Sequence, residues 1–106
     1  MNSSIPTIVT EPIKRRIKVT IEYEMIVTLM PSLFGGMSVE KYLEEFRKGL
    51  WDVDDINDIA KYAAQMAALY GETNEDGIGT LSPAYLNKDT CVKYDIIDED
   101  INSEII

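Results

Sequence analysis

Between residues 17 and 29 the chain alternates. Ile17, Val19, Ile21, Tyr23, Met25, Val27 and Leu29 interleave with Lys18, Thr20, Glu22, Glu24, Ile26 and Thr28. A period of two puts successive side chains on opposite faces of an extended backbone, so the run predicts a strand with one buried face. At ~3.3 Å per residue it spans more than about 40 Å, longer than a small domain usually needs. Either a bulge bends it, or one end overhangs and seeks a partner edge. Pro31 ends the strand.

Past the loop PSLFGGM the period changes. Val39, Tyr42, Leu43 and Phe46 recur at i, i+3, i+4 and i+7, the spacing of one helix face. Ser38 stands where an N-cap is expected, Glu40 suits the positive end of the helix dipole, and Gly49 suits the C-terminal stop. A second helix carries Ile56, Ile59, Ala60, Ala63, Met66, Ala67 and Tyr70 on its apolar stripe. Asp52 is its expected cap, with Asp54 and Asp55 in the first turn and Gly71 at the end.

Residues 71–90 read as loop, with room for a brief strand over 78–81. From Cys91, the residues Val92, Tyr94 and Ile96 alternate with Lys93 and Asp95, which predicts a second strand. The acidic stretch DEDINSEII follows as a tail. Residues 1–12, with Pro6 and Pro12, read as an extended arm, and 13–106 as one domain with that acidic tail. The expected fold is α+β, a small sheet built on a long N-terminal strand and a C-terminal strand, with two helices packed on one face. So few strands leave free sheet edges, and a homodimer through one edge would cover them.

Composition narrows the chemistry. At 106 residues and 45% hydrophobic, the chain suits one globular domain. It has no histidine and a single cysteine. Catalytic sites of Ser-His-Asp or Cys-His type, an imidazole base, and His- or Cys-rich zinc sites are therefore excluded. One cysteine allows no internal disulfide, which fits an intracellular, cytoplasmic protein. The opening residues show neither a basic n-region nor an apolar h-region, so no secretory signal is expected. No apolar run approaches the ~18 residues of a membrane span.

The net charge is −9 and unevenly spread. Residues 1–37 carry net +1, residues 38–70 net −3, and residues 71–106 net −7. Such a field repels nucleic acid and anionic membranes and attracts basic protein surfaces.

Four features are candidates for function. The stretch NEDGIGTLSPAY, residues 74–85, resembles the calcium loop of an EF-hand. By that resemblance Asn74, Asp76, Thr80 and Ser82 take ligand positions, Gly79 the sharp turn and Leu81 the apolar position after it. Ile78 and Tyr85 fall where the family needs oxygen ligands, and Tyr85 replaces the bidentate glutamate. The stretch therefore reads as an Asp-Gly turn that closes a hairpin, and no metal or other cofactor is expected.

The cluster of Asp54, Asp55 and Asp58 is explained by first-turn acids stabilising a helix, so no catalytic or magnesium role is expected. Third, the acids form rows: Glu40, Glu44, Glu45, Asp52, Asp54, Asp55 and Asp58 along two helices, and Asp95, Asp98, Glu99, Asp100 and Glu104 towards the C-terminus. Carboxylates two residues apart on a strand recur at ~6.6 Å, a spacing that can present a line of negative charge to a groove made for phosphates. Fourth, Trp51 and Phe34 are candidate aromatic anchors, whereas Tyr42, Phe46 and Tyr70 lie on the apolar stripes and are expected in the core. Cys91 has no basic neighbour before Lys93 and is expected to be inert.

The expectation is a non-enzymatic protein that binds a basic protein surface through its acids. In charge and size it is similar to small acidic inhibitors, encoded by phages or mobile elements, that block host nucleases, restriction enzymes or CRISPR effectors. Glu40, Glu44, Glu45, Trp51, Asp52, Asp54, Asp55, Asp58, Asp95, Asp98, Glu99 and Asp100 are the expected partner-binding residues, with no direct binding of nucleic acid or membrane. The alternative is a small homo-oligomeric accessory protein whose charge serves solubility.

Overall fold

The computed structural model describes residues 7–106. Of the expected arm over 1–12, residues 1–6 lie outside the described residues, and 7–12 are exposed and in no strand or helix. The alternating run forms β1 (Ile17–Leu29) within the expected limits. Its antiparallel neighbour is β4 (Val92–Ile105), paired from Ile17↔Ile105 to Leu29↔Val92. Residues 98–105, read from sequence as an acidic tail, are thus the outer half of a 14-residue strand. Among the described residues the sheet has four strands in the order β1-β4-β3-β2. β3 (Gly79–Pro83) runs parallel to β4 over Leu81↔Val92 to Pro83↔Tyr94, and β2 (Thr73–Glu75) lies antiparallel on β3.

Helix α1 (Val39–Gly49) starts at Ser38, whose hydroxyl accepts from the Lys41 N–H at 3.1 Å. Helix α2 (Ile56–Tyr70) is capped by Asp55 rather than Asp52. The Asp55 carboxylate accepts from the N–H groups of Asn57 and Asp58, at 2.9 and 3.3 Å, and Asp58 reaches back to the Asp54 N–H at 2.8 Å. Asp55 satisfies donors that a helix start leaves without partners, and Asp58 fixes the residue that precedes the cap. Arg47 ties the two helices together by donating to the carbonyls of Val53 and Asp54. At the far end Gly71 takes φ +68° and donates to the Ala67 carbonyl at 2.8 Å.

Both helices pack on the sheet face that carries Val92 and Tyr94, where Tyr42, Leu43, Phe46, Ile59, Ala63, Ala67, Ile78 and Leu81 complete the core. Met25, Val27 and Leu29 of β1 close it from the side. Tyr70, expected in this core, is 64% exposed. It falls in the last turn of α2, where the stripe has run past the sheet. Ser82 is a buried polar core residue, and its hydroxyl shares a 2.9 Å hydrogen bond with Thr90.

The core occupies only one end. The molecule measures 79 × 29 × 19 Å with a radius of gyration of 21.9 Å, against about 13 Å for a compact chain of ~100 residues. The excess is the outer half of the β1–β4 pair, residues 17–24 with 98–105, which extends as a two-stranded ribbon, together with the exposed segment 7–16 that leads into it. Where it leaves the body the register shifts, from Glu24↔Asp98 to Met25↔Ile96, so Ile97 is an extra residue in β4. Such a bulge bends and twists the pair.

Candidate protein-binding surface

The register sorts the ribbon side chains onto two faces, since residues directly opposite in an antiparallel pair share a face. On one face lie Ile17, Val19, Ile21 and Tyr23, opposite Ile105, Ser103, Ile101 and Glu99. On the other lie Lys18, Thr20, Glu22 and Glu24, opposite Glu104, Asn102, Asp100 and Asp98. Beyond the bulge the second face continues with Ile26 opposite Asp95 and Thr28 opposite Lys93. It therefore collects Glu22, Glu24, Asp95, Asp98, Asp100 and Glu104 against Lys18 and Lys93.

Two of its pairs, Glu22/Asp100 and Glu24/Asp98, set like charges directly across the ladder, an arrangement that destabilises a sheet by itself. Among the described residues none of these six carboxylates has a cation within ion-pair distance. All are exposed. Glu22 to Glu24 and Asp98 to Asp100 are each spaced ~6.8 Å along their strand, and across the pair the backbones lie ~5 Å apart.

The helix acids are differently placed and differently occupied. They lie on the body, across the sheet from the acidic face. Glu44 and Glu45 face Lys41 and Lys48 at 3.3–3.9 Å. A hydrogen bond from Lys41 and the nearby charge of Lys48 hold the Glu45 carboxyl below its ordinary range. Asp55 and Asp58 are committed to the start of α2. Glu40, Asp52 and Asp54 are exposed, and Asp52 and Asp58 border a shallow depression with Trp51, Lys61, Tyr62 and Gln65. The two acidic groups expected to act together thus stand on separate surfaces.

Trp51 is 42% exposed, and its ring stands edge-on to Phe46 at 5.1 Å and to Tyr62 at 4.6 Å. Phe34 is half-buried, 5.2 Å from Tyr42. Both candidate anchors therefore belong to one aromatic cluster that roofs the core. Cys91 is half-buried and receives a long contact from the Ser32 hydroxyl at 3.6 Å.

The stretch 74–85 is a hairpin, not a loop wrapped about a centre. Asn74 and Thr80 are cross-strand partners, and Ser82 faces Thr90 in the core. The Ile78 N–H donates to the Glu75 carbonyl at 3.3 Å to close the turn. Gly77 has φ +85° while Asp76 keeps a negative φ, the pattern of a turn that needs glycine at its third position. Glu75 and Asp76 lie near Tyr62, whose hydroxyl is pushed up first by burial and then by their charges. The sharp turn is thus made at Gly77, two residues before the glycine that the ion-loop pattern selects.

Sequence reasoning missed Glu22 and Glu24 as members of the acidic face. The signal was present in the alternation, which puts both on the polar side of β1, but their cross-strand partners Asp100 and Asp98 lie 78 and 74 residues further along the chain. Comparison of the chain with protein-family models, curated proteins and solved structures finds no match.

Proposed function

We propose that this protein works without enzymatic chemistry, by binding a basic protein surface through the acidic face of its ribbon. One observation carries the reading: Glu22/Asp100 and Glu24/Asp98 are like-charge pairs in register, exposed and without ion-pair partners, on an element that projects from the body. Opposed like charges cost stability in the free chain, and a cationic partner turns that cost into binding.

The partner class that fits is a protein with a groove for a nucleic-acid backbone. A duplex presents a dense row of backbone charge, one phosphate per ~3.4 Å of axis on each strand, and the ribbon presents a row of its own, with carboxylates ~6.8 Å apart along a strand and ~5 Å apart across the pair. The sharper form of the proposal is an inhibitor of a nucleic-acid-processing complex in a host cytoplasm, of the anti-restriction or anti-CRISPR type. The ribbon, rather than the helix acids or Trp51, is the binding element in this reading, because it alone sets like charges in opposed cross-strand pairs, whereas lysines and the start of α2 occupy Glu44, Glu45, Asp55 and Asp58.

The test compares the full chain with the variant Glu22→Gln/Glu24→Gln/Asp98→Asn/Asp100→Asn as bait for a basic nucleic-acid-binding protein. Duplex DNA should compete with the native chain for that protein, and binding should weaken steeply as salt rises. The fourfold variant should lose most of the affinity. Equal, salt-independent binding by both chains would refute the proposal.

A further inference from the structure

We propose that the apolar face of the ribbon is the interface of a homodimer, in which a second copy of the chain lays its own ribbon across it in the antiparallel sense. Inward of the bulge, Met25, Val27 and Leu29 pack against the core. Outward of it the same face is bare: Ile17, Val19, Ile21, Ile101 and Ile105 are 49–72% exposed. A two-stranded ribbon with an uncovered apolar face is marginal in water, and packing against another layer is what stabilises it.

The area is sufficient for a self-association. These five side chains offer roughly 100 Å² each, about 500 Å² per chain, where a stable interface takes about 800 Å² per partner. Tyr23 lies on the same face, and the segment leading into β1 exposes Ile8, Val9 and Ile13 at 66–80%, so the proposed contact reaches that size by including this segment along with the ribbon.

Charge selects both the face and the direction. Two copies repel across their acidic faces, so they meet on the apolar ones and leave the acids outward. Along the ribbon the charge is polarised, with Lys14, Arg15, Arg16 and Lys18 outnumbering Glu104 at the tip and Glu22, Glu24, Asp98, Glu99 and Asp100 near the body. A two-fold axis perpendicular to the ribbon brings each tip over the partner's acidic root, whereas one along the ribbon gives a parallel stack that sets like on like. Glu99, the acid that sits on the apolar face opposite Tyr23, then meets the basic tip instead of being buried unpaired.

This contact uses a face and not a sheet edge, and it stands apart from the acidic-surface reading. Either can fail without the other.

Sedimentation equilibrium of the full chain, from low to high micromolar concentration, should give twice the 12.0 kDa monomer mass. Ile21→Lys/Ile101→Lys should sediment as a monomer, while Thr20→Lys, on the opposite face, should remain a dimer. The near-UV signal of Trp51, which lies in the body, should be unchanged in both and so shows that the core is folded. Arg15→Glu/Arg16→Glu should weaken association at least tenfold, and adding Glu99→Arg should restore it. A native chain that stays monomeric throughout overturns the proposal, as does a dimer that survives Ile21→Lys/Ile101→Lys. Failure of Glu99→Arg to restore association overturns the antiparallel sense.

Discussion

Gly77→Ala offers the sharpest test of how the hairpin is seated on the helices. A Cβ at this position falls 2.5 Å from Phe46 Cε2 and 2.5 Å from Leu50 Cδ1, with Phe46 Cδ2 at 2.9 Å. Phe46 cannot swing aside, because its ring is held among Tyr42, Trp51 and Tyr62. Two costs add. The left-handed backbone costs an ordinary residue about 1–2 kcal/mol, and displacing the Phe46 ring and the Leu50 side chain to admit the methyl costs about 1–3 kcal/mol. Together they amount to roughly 2–5 kcal/mol, a large part of the ~5–15 kcal/mol that stabilises a domain.

Gly79→Ala separates the two terms. Gly79 also has positive φ, +71°, but nothing lies within 4 Å of its added Cβ, so it should lose only about 1–2 kcal/mol. Urea unfolding followed by Trp51 fluorescence gives both values, since Trp51 stands against Phe46. At a loss of about 3 kcal/mol the melting temperature falls by roughly 12–24 °C. Equal midpoints for Gly77→Ala and Gly79→Ala would refute the clash, and with it the close seating of the hairpin on Phe46 and Leu50.

Three further outcomes are expected. The Tyr42 hydroxyl donates to the Gly77 carbonyl at 2.7 Å, so Tyr42→Phe should cost about 1–3 kcal/mol in denaturant midpoints by stranding that acceptor. Burial, with the Cys91 sulfur adding to it, pushes this hydroxyl up to about 12. A folded pKa above the ordinary 10 means that the stabilisation is whole below pH 10 and is lost as pH rises through about 12. Tyr42→Phe should therefore flatten the alkaline limb of a pH–stability curve. Asp55→Ala removes the cap of α2 and should cost about 1 kcal/mol by thermal unfolding, whereas Asp52→Ala should cost little. Glu22→Gln/Asp100→Asn relieves an opposed like-charge pair, so in the absence of a partner it should raise stability by about 0.2–1 kcal/mol, less at high salt.

Much of the fold was legible in the chain because local physics and tertiary packing agree there. The alternation over 17–29 bounds β1, Ser38 begins α1, and the stripe from Ile56 to Ala67 with Gly71 behind it marks α2. The cap of α2 was misplaced because three aspartates compete for it. Only the backbone, with Asp55 at φ −148°, shows which one turns its carboxylate onto the helix start. The last strand was cut short at the acids, which have low β-propensity by themselves. Their extended state comes from the ladder with β1, a long-range pairing that no local window contains.

The same division holds for the candidate surface. The residues alone, with no histidine and one cysteine, rule out imidazole and paired-thiol chemistry in this chain, place its acidity towards residue 106, and make β1 too long for a small core. The tertiary structure alone decided which acids share a face. Pairing β1 with β4 joins Glu22 and Glu24 to Asp98 and Asp100, while helix caps and lysines occupy most of the acids that stand in a row along α1 and α2. It also decided that the core stops at the bulge. A helix layer covers only as much of a strand as its own length, so the outer ribbon keeps one apolar and one acidic face free.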